Sequence, residues 1–140
     1  MRSAFLFLLV ACSPNHGETG PADDTGGSDL YGEVSTTGGD CEGEAFAAPV
    51  PAVWAETAGS DILLHLDDLT ANCCPTPGTT VTLADTTFTV VFDDLAGGGG
   101  CWCECVIDFL VTIEDVAAGT WTLDVEYRGA ALGSAEVTVP

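Results

Sequence analysis

The chain contains no lysine, and its only basic residues are Arg2 and Arg128. Against them stand 22 acidic residues, for a formal charge of −20. A surface this negative repels polyphosphate, which excludes nucleic acid as a partner. It also excludes charge-driven adhesion to anionic membranes. Histidine is nearly absent: His16 and His65 are the two. Neither Gly-x-Ser-x-Gly nor His-Glu-x-x-His occurs, and no Asp-x-Asp-x-Asp-Gly calcium loop is present. Gly97 to Gly100 lacks the Gly-Lys-Ser/Thr that completes a phosphate loop, and reads as an inter-strand connection. The N-terminal apolar run, Ala4 to Ala11, has eight residues, whereas a membrane-spanning helix needs about 20. Helical periodicity is missing throughout.

That short apolar run is nonetheless informative. Arg2 forms a minimal basic region before it, and Cys12 closes it. Its brevity and flanks read as an export signal. The string Leu9-Val10-Ala11-Cys12 resembles the lipobox of bacterial lipoproteins. The resemblance implies cleavage before Cys12 and acylation of its sulfur and new amino group. Each buried methylene contributes about 0.8 kcal/mol, so several acyl chains anchor a protein stably. It also implies location in the cell envelope, and Ser13 after the cysteine resembles lipoproteins sorted to an outer membrane. Loss of residues 1–11 removes Arg2 and takes the charge from −20 to −21.

Residues 12–40 read as the lipidated cysteine and a tether. From 13 to 40 there are seven Gly, two Pro, seven Ser or Thr and six acidic residues, with Ala22, Leu30, Tyr31 and Val34 the apolar ones. Such a composition is expected to stay disordered, because it buries too little to offset chain entropy. As a random coil it spans about 30 Å. The domain is expected at 41–140.

From Cys41 onward, short apolar runs alternate with polar residues and are punctuated every 8–12 positions by turn formers. Strands are expected near 50–55, 60–67, 79–84, 86–93, 103–113, 120–128 and 134–139. Seven strands in about 100 residues give an all-β fold, a single β-sandwich. In the run from Cys101 to Ile113, Cys101, Cys103, Cys105, Ile107, Phe109, Val111 and Ile113 all take odd positions and so share one strand face, with a bulge or coil start expected near Cys101. The stretch Ile113-x-x-Val116-x-x-Gly119-x-Trp121-x-Leu123-x-Val125 is similar to the strand–corner–strand segment of fibronectin type III and related immunoglobulin-like domains. Here Val116 stands for Leu and Trp121 for Tyr. The resemblance implies an immunoglobulin-like arrangement.

With Cys12 set aside, six cysteines remain: Cys41, Cys73, Cys74, Cys101, Cys103 and Cys105. An even set in an exported domain implies disulfides. Residues i and i+2 on a strand hold their Cα atoms roughly 6.6–6.8 Å apart with parallel side chains, which disfavours bridges within 101/103/105. A Cys73–Cys74 bridge strains its own peptide. Each of Cys41, Cys73 and Cys74 is therefore expected to pair with one of the other three, leaving six of 15 connectivities open.

Other constellations carry less. The pairs Asp67-Asp68 and Asp93-Asp94 offer oxygen to calcium but sit where strands enter turns. The cysteines offer a soft-metal site for Cu(I) or Zn(II), or a redox exchange site, without paired Cys-x-x-Cys spacing or a nearby histidine. His65 reads as a strand histidine, Trp121 as core, and Trp102 as a cover for the second sheet or a disulfide, the alternative being a stacking surface for a protein or glycan partner. The sequence thus predicts a lipid-anchored, disulfide-stapled envelope module. No catalytic residue, metal or cofactor is expected. The alternative is an envelope metal-binding lipoprotein, with a soft metal at the cysteines or calcium at the acidic pairs.

Overall fold

A computed structural model describes residues 29–41 and 50–140. Cys12, His16 and the lipobox lie outside the described residues. Nine strands occur among those described: β1 Asp29–Leu30, β2 Val34–Gly38, β3 Ala52–Ala58, β4 Asp61–Asn72, β5 Gly78–Ala84, β6 Thr87–Asp93, β7 Glu104–Ile113, β8 Gly119–Tyr127 and β9 Ala130–Val139. They form two sheets, ordered β1-β5-β6-β8-β9 and β2-β7-β4-β3. The fold is an all-β sandwich held by disulfides. No helix of the described residues is long and apolar enough to cross a membrane.

Strand alternation builds the core directly. Ile62, Leu64 and Leu66 of β4, Phe88, Val90 and Phe92 of β6, Phe109, Val111 and Ile113 of β7, and Leu123 and Val125 of β8 are all buried. Phe92 meets Phe109 across the layers at a centroid distance of 4.8 Å. A β-bulge interrupts β4 between Leu66 and Leu69, where Asp68 takes φ 58°. One extra residue reverses the side-chain parity, so Leu66 and Leu69 both face inward. One pairing, β6 with β8, is parallel. A short corner, residues 114–118, carries the chain from β7 in one sheet to β8 in the other. At that corner Val116 is buried, and Trp121 Nε1 donates to the Ala117 carbonyl at 3.0 Å.

Two expectations need correction. Among the described residues the sandwich already includes Asp29–Leu30 and Val34–Gly38, so the last part of the expected tether belongs to the domain. Composition undercounts this segment because an edge strand gains its stability from the backbone. β2 pairs with β7 over Val34 to Gly38. Thr36 and Thr79 share a hydroxyl hydrogen bond of 2.6 Å between the sheets. Tyr31 adds a ring packed edge-on against Phe88 at 5.0 Å, and its hydroxyl donates to Asp115 O. The second correction concerns Cys103: the coil start expected near Cys101 is present, but it runs on through Cys103, and β7 starts at Glu104. Only Cys105 of the three neighbouring cysteines lies on the strand; Cys101 and Cys103 lie in the loop before it. Gly98, Gly99 and Gly100 all have positive φ there, which takes the backbone out of the extended region.

Candidate functional site

The chemistry-bearing residues gather at one end of the sandwich. Three connections meet there: residues 73–77 after β4, residues 94–103 before β7, and the Arg128-Gly129 turn between β8 and β9. Both turn residues have positive φ, 48° and 78°, as a two-residue type I′ hairpin requires. For arginine this conformation costs about 1–2 kcal/mol, so something must hold it in place.

Asp94 does so. Its side chain is 0% exposed, and Arg128 grips it with Nε to Oδ1 at 2.7 Å and Nη2 to Oδ2 at 2.7 Å. The backbone N–H of Asn72 adds a bond to Oδ2 at 2.6 Å. Arg128 also reaches Glu104 Oε1 at 3.1 Å, and its guanidinium sits 5.1 Å from the Tyr127 ring centre. Burial disfavours the charged form of Asp94, but the Arg128 and Asn72 hydrogen bonds and the Arg128 charge outweigh it, so its carboxyl is held below the ordinary value. The bonds to Asp94 and Glu104 in turn push the Arg128 guanidinium further up, against the effect of burial. Burial, then the Asp94 charge, raises the Tyr127 phenol; its hydroxyl donates to Thr70 O at 3.0 Å.

Asn72 ties this ion pair to the disulfide loops. Its Oδ1 accepts from Cys74 N at 3.0 Å and from Cys101 N at 2.8 Å, and its Nδ2 donates to Cys101 O at 2.7 Å. Gly100 packs against it: a Cβ there would sit 3.2 Å from both Asn72 terminal atoms and 2.9 Å from Leu95 Cδ2. Each side-chain hydrogen bond contributes about 0.5–1.5 kcal/mol, so Asn72→Ala is expected to lose about 2–3 kcal/mol in urea unfolding. A loss under about 0.5 kcal/mol would show that water replaces all three bonds equally well.

The bridges follow the expected bipartite scheme and select one of its six solutions. Cys41 pairs with Cys105, Cys73 with Cys103, and Cys74 with Cys101, at Cα separations of 5.8, 5.6 and 5.4 Å. Trp102, between two bridged cysteines, is fully exposed. It covers neither the second sheet nor a disulfide, contrary to expectation.

No protein-family model, curated protein or solved structure matches this chain.

Three of the four carboxylates in the acidic pairs, those of Asp67, Asp93 and Asp94, accept hydrogen bonds. Asp94 holds a guanidinium rather than a cation of calcium type. Asp93 Oδ1 accepts from Leu95 N at 2.8 Å, closing the turn after β6. Asp67 Oδ2 accepts from Trp54 Nε1 at 2.6 Å, and Asp68 N donates to Asp108 Oδ1 at 2.7 Å. His65 stacks flat on Trp54, with ring centres 3.7 Å apart, and its Nε2 lies 3.4 Å from Glu56 Oε1. It lines a shallow depression of about 310 Å³ with Thr37, Asp67, Asp108 and Leu110. These are outer-face partners on neighbouring strands. Sequence reasoning missed Asn72 and the Asp94–Arg128 pair. One signal was present: Arg128 is the single basic residue of the expected domain.

Proposed function

We propose that the chain is a membrane-anchored cell-envelope lipoprotein whose β-sandwich acts as a non-catalytic structural or binding module. The observation that carries this reading is cysteine parity. The lipobox-like Leu9-Val10-Ala11-Cys12 takes one cysteine of seven, and the remaining six pair completely within the domain. Three bridges suit an oxidising envelope. The binding surface in this reading is the bridged end, where Trp102 stands fully exposed between two tethered neighbours. A rigid aromatic residue supplies contact area at little entropic cost. Following Ser13, the reading places the anchor in an outer membrane.

The soft-metal alternative draws on the same end, since the Cys41, Cys73 and Cys105 sulfurs lie within 4.8 Å of one another. Each is committed to a bridge, however, and it is the thiolate that binds metal. The oxidised domain favours the module reading.

Expression of the full chain in a bacterium with labelled palmitate tests the anchor. Label is expected in the membrane fraction. Cys12→Ala is expected to abolish labelling and to leave a precursor that retains residues 1–11. Equal labelling of the wild type and the variant would refute the lipoprotein reading.

A further inference from the structure

Two of the three bridges lie side by side. The Sγ atoms of Cys41, Cys73 and Cys105 are mutually within 4.8 Å. Cys41 and Cys105 are bonded to each other, and Cys73 is bonded to Cys103. Cys73 thus brings a third sulfur up to the Cys41–Cys105 bond. Exposure is uneven across the set: Cys103 and Cys41 are exposed, Cys73 is half-buried, and Cys105 is 2% exposed. The Cys74–Cys101 bridge is not part of this trio.

We infer that these sulfurs form a thiol–disulfide exchange site whose substrate is an external dithiol and whose product is a released Cys41. A thiolate of the dithiol attacks the exposed Cys103 Sγ. The Cys73–Cys103 bond breaks, its electron pair leaves on Cys73, and a mixed disulfide forms at Cys103. The Cys73 thiolate then attacks Cys105 Sγ. A Cys73–Cys105 bond forms, the Cys41–Cys105 bond breaks, and the pair leaves on Cys41. The second thiolate of the dithiol resolves the mixed disulfide, closing its own disulfide and freeing Cys103. The dithiol has given up two electrons and two protons. The protein has gained two thiols, at Cys41 and Cys103, and lost one bridge.

Solvation sets the direction. Departure from Cys41 leaves the charge in water, whereas departure from Cys105 would strand a thiolate in the core. In the proposed route the buried sulfur stays bridged at every stage. The exchange therefore unclips the chain just beyond β2 from β7, leaving β2 held through its backbone pairing, while β7 stays clipped to the residue after β4.

The Cys103→Ser variant of the full chain tests this without added reductant. Native alkylation and non-reducing peptide mapping, with labels counted at the domain cysteines, are expected to find a Cys73–Cys105 bridge and label on Cys41. Label on Cys73 with Cys41–Cys105 retained overturns the inference. Cys101→Ser serves as the control and is expected to keep its label on Cys74. The wild type, treated with one equivalent of dithiothreitol and acid-quenched, gives a second reading that does not depend on a variant folding. Joint labelling of Cys41 and Cys103 supports the route. Joint labelling of Cys73 and Cys103 beside an intact Cys41–Cys105 bridge refutes it.

Discussion

Arg128→Ala is expected to lower the unfolding free energy by about 3–5 kcal/mol, because it leaves a buried carboxylate without its counter-charge. Asp94 is 0% exposed and takes both its strong side-chain bonds from that one guanidinium. No second cation stands among the described residues to replace it. Domains of this size hold about 5–15 kcal/mol in total, so the loss is a large share. The melting temperature should fall by at least about 12 °C. A double variant, Asp94→Leu with Arg128→Met, is expected to recover much of the loss, since well-packed apolar groups commonly replace a buried pair at little cost. The two experiments separate the penalty of an orphaned charge from the net worth of the pair. A single variant within about 1 kcal/mol of wild type would show that Asp94 finds water or a proton instead.

The same pair gives a pH signature. The folded-state pKa of Asp94 lies below its ordinary value of 3.8. Its contribution is therefore complete above the ordinary value and is lost as pH falls through the folded one. Wild-type stability should decline in acid below about pH 4. Arg128→Ala should show a shallower decline there, measured by urea midpoint against pH.

Reduction of all three bridges is expected to leave the domain unfolded at 37 °C. The bridges span 64, 30 and 27 residues. Loop-closure entropy gives roughly 4 kcal/mol for each taken alone. The shorter loops are nested in the longest, so the sum is smaller than three times that figure. Even so, a loss comparable with the whole stability of a small domain follows. Phosphine-treated protein should lose near-UV circular dichroism at 37 °C, while the oxidised protein keeps it. A reduced domain melting within a few degrees of the oxidised one would show that the core alone carries the fold.

The positions of seven strands were legible because a half-buried strand repeats every two residues. Phe109, Val111 and Ile113 show it without interruption, and all three are buried. The bipartite cysteine scheme was legible because it needs only local geometry: i and i+2 neighbours, and adjacent residues, pair poorly. β1 and β2 were not legible. Ser35, Thr36 and Thr37 become a strand only when β7 offers its edge, and composition does not encode a partner's edge. The Leu66–Leu69 bulge was hidden for the same reason, since Asp67-Asp68 reads equally as a strand end.

The candidate site shows the division most clearly. Arg128 and Asp94 are separated by 34 residues, and Asn72 lies 22 residues before Asp94. Nothing in their spacing announces contact. By itself the sequence determined the fold class and the rule that two sets of three cysteines must pair with each other. Those follow from periodicity, composition and the fixed reach of a disulfide, all of which are local. Only the tertiary structure decided which of six pairings forms, that β1 and β2 belong to the sandwich, and that Arg128 is a buried anion's partner. These depend on which loops the two sheets bring to one end, and that is set by long-range packing.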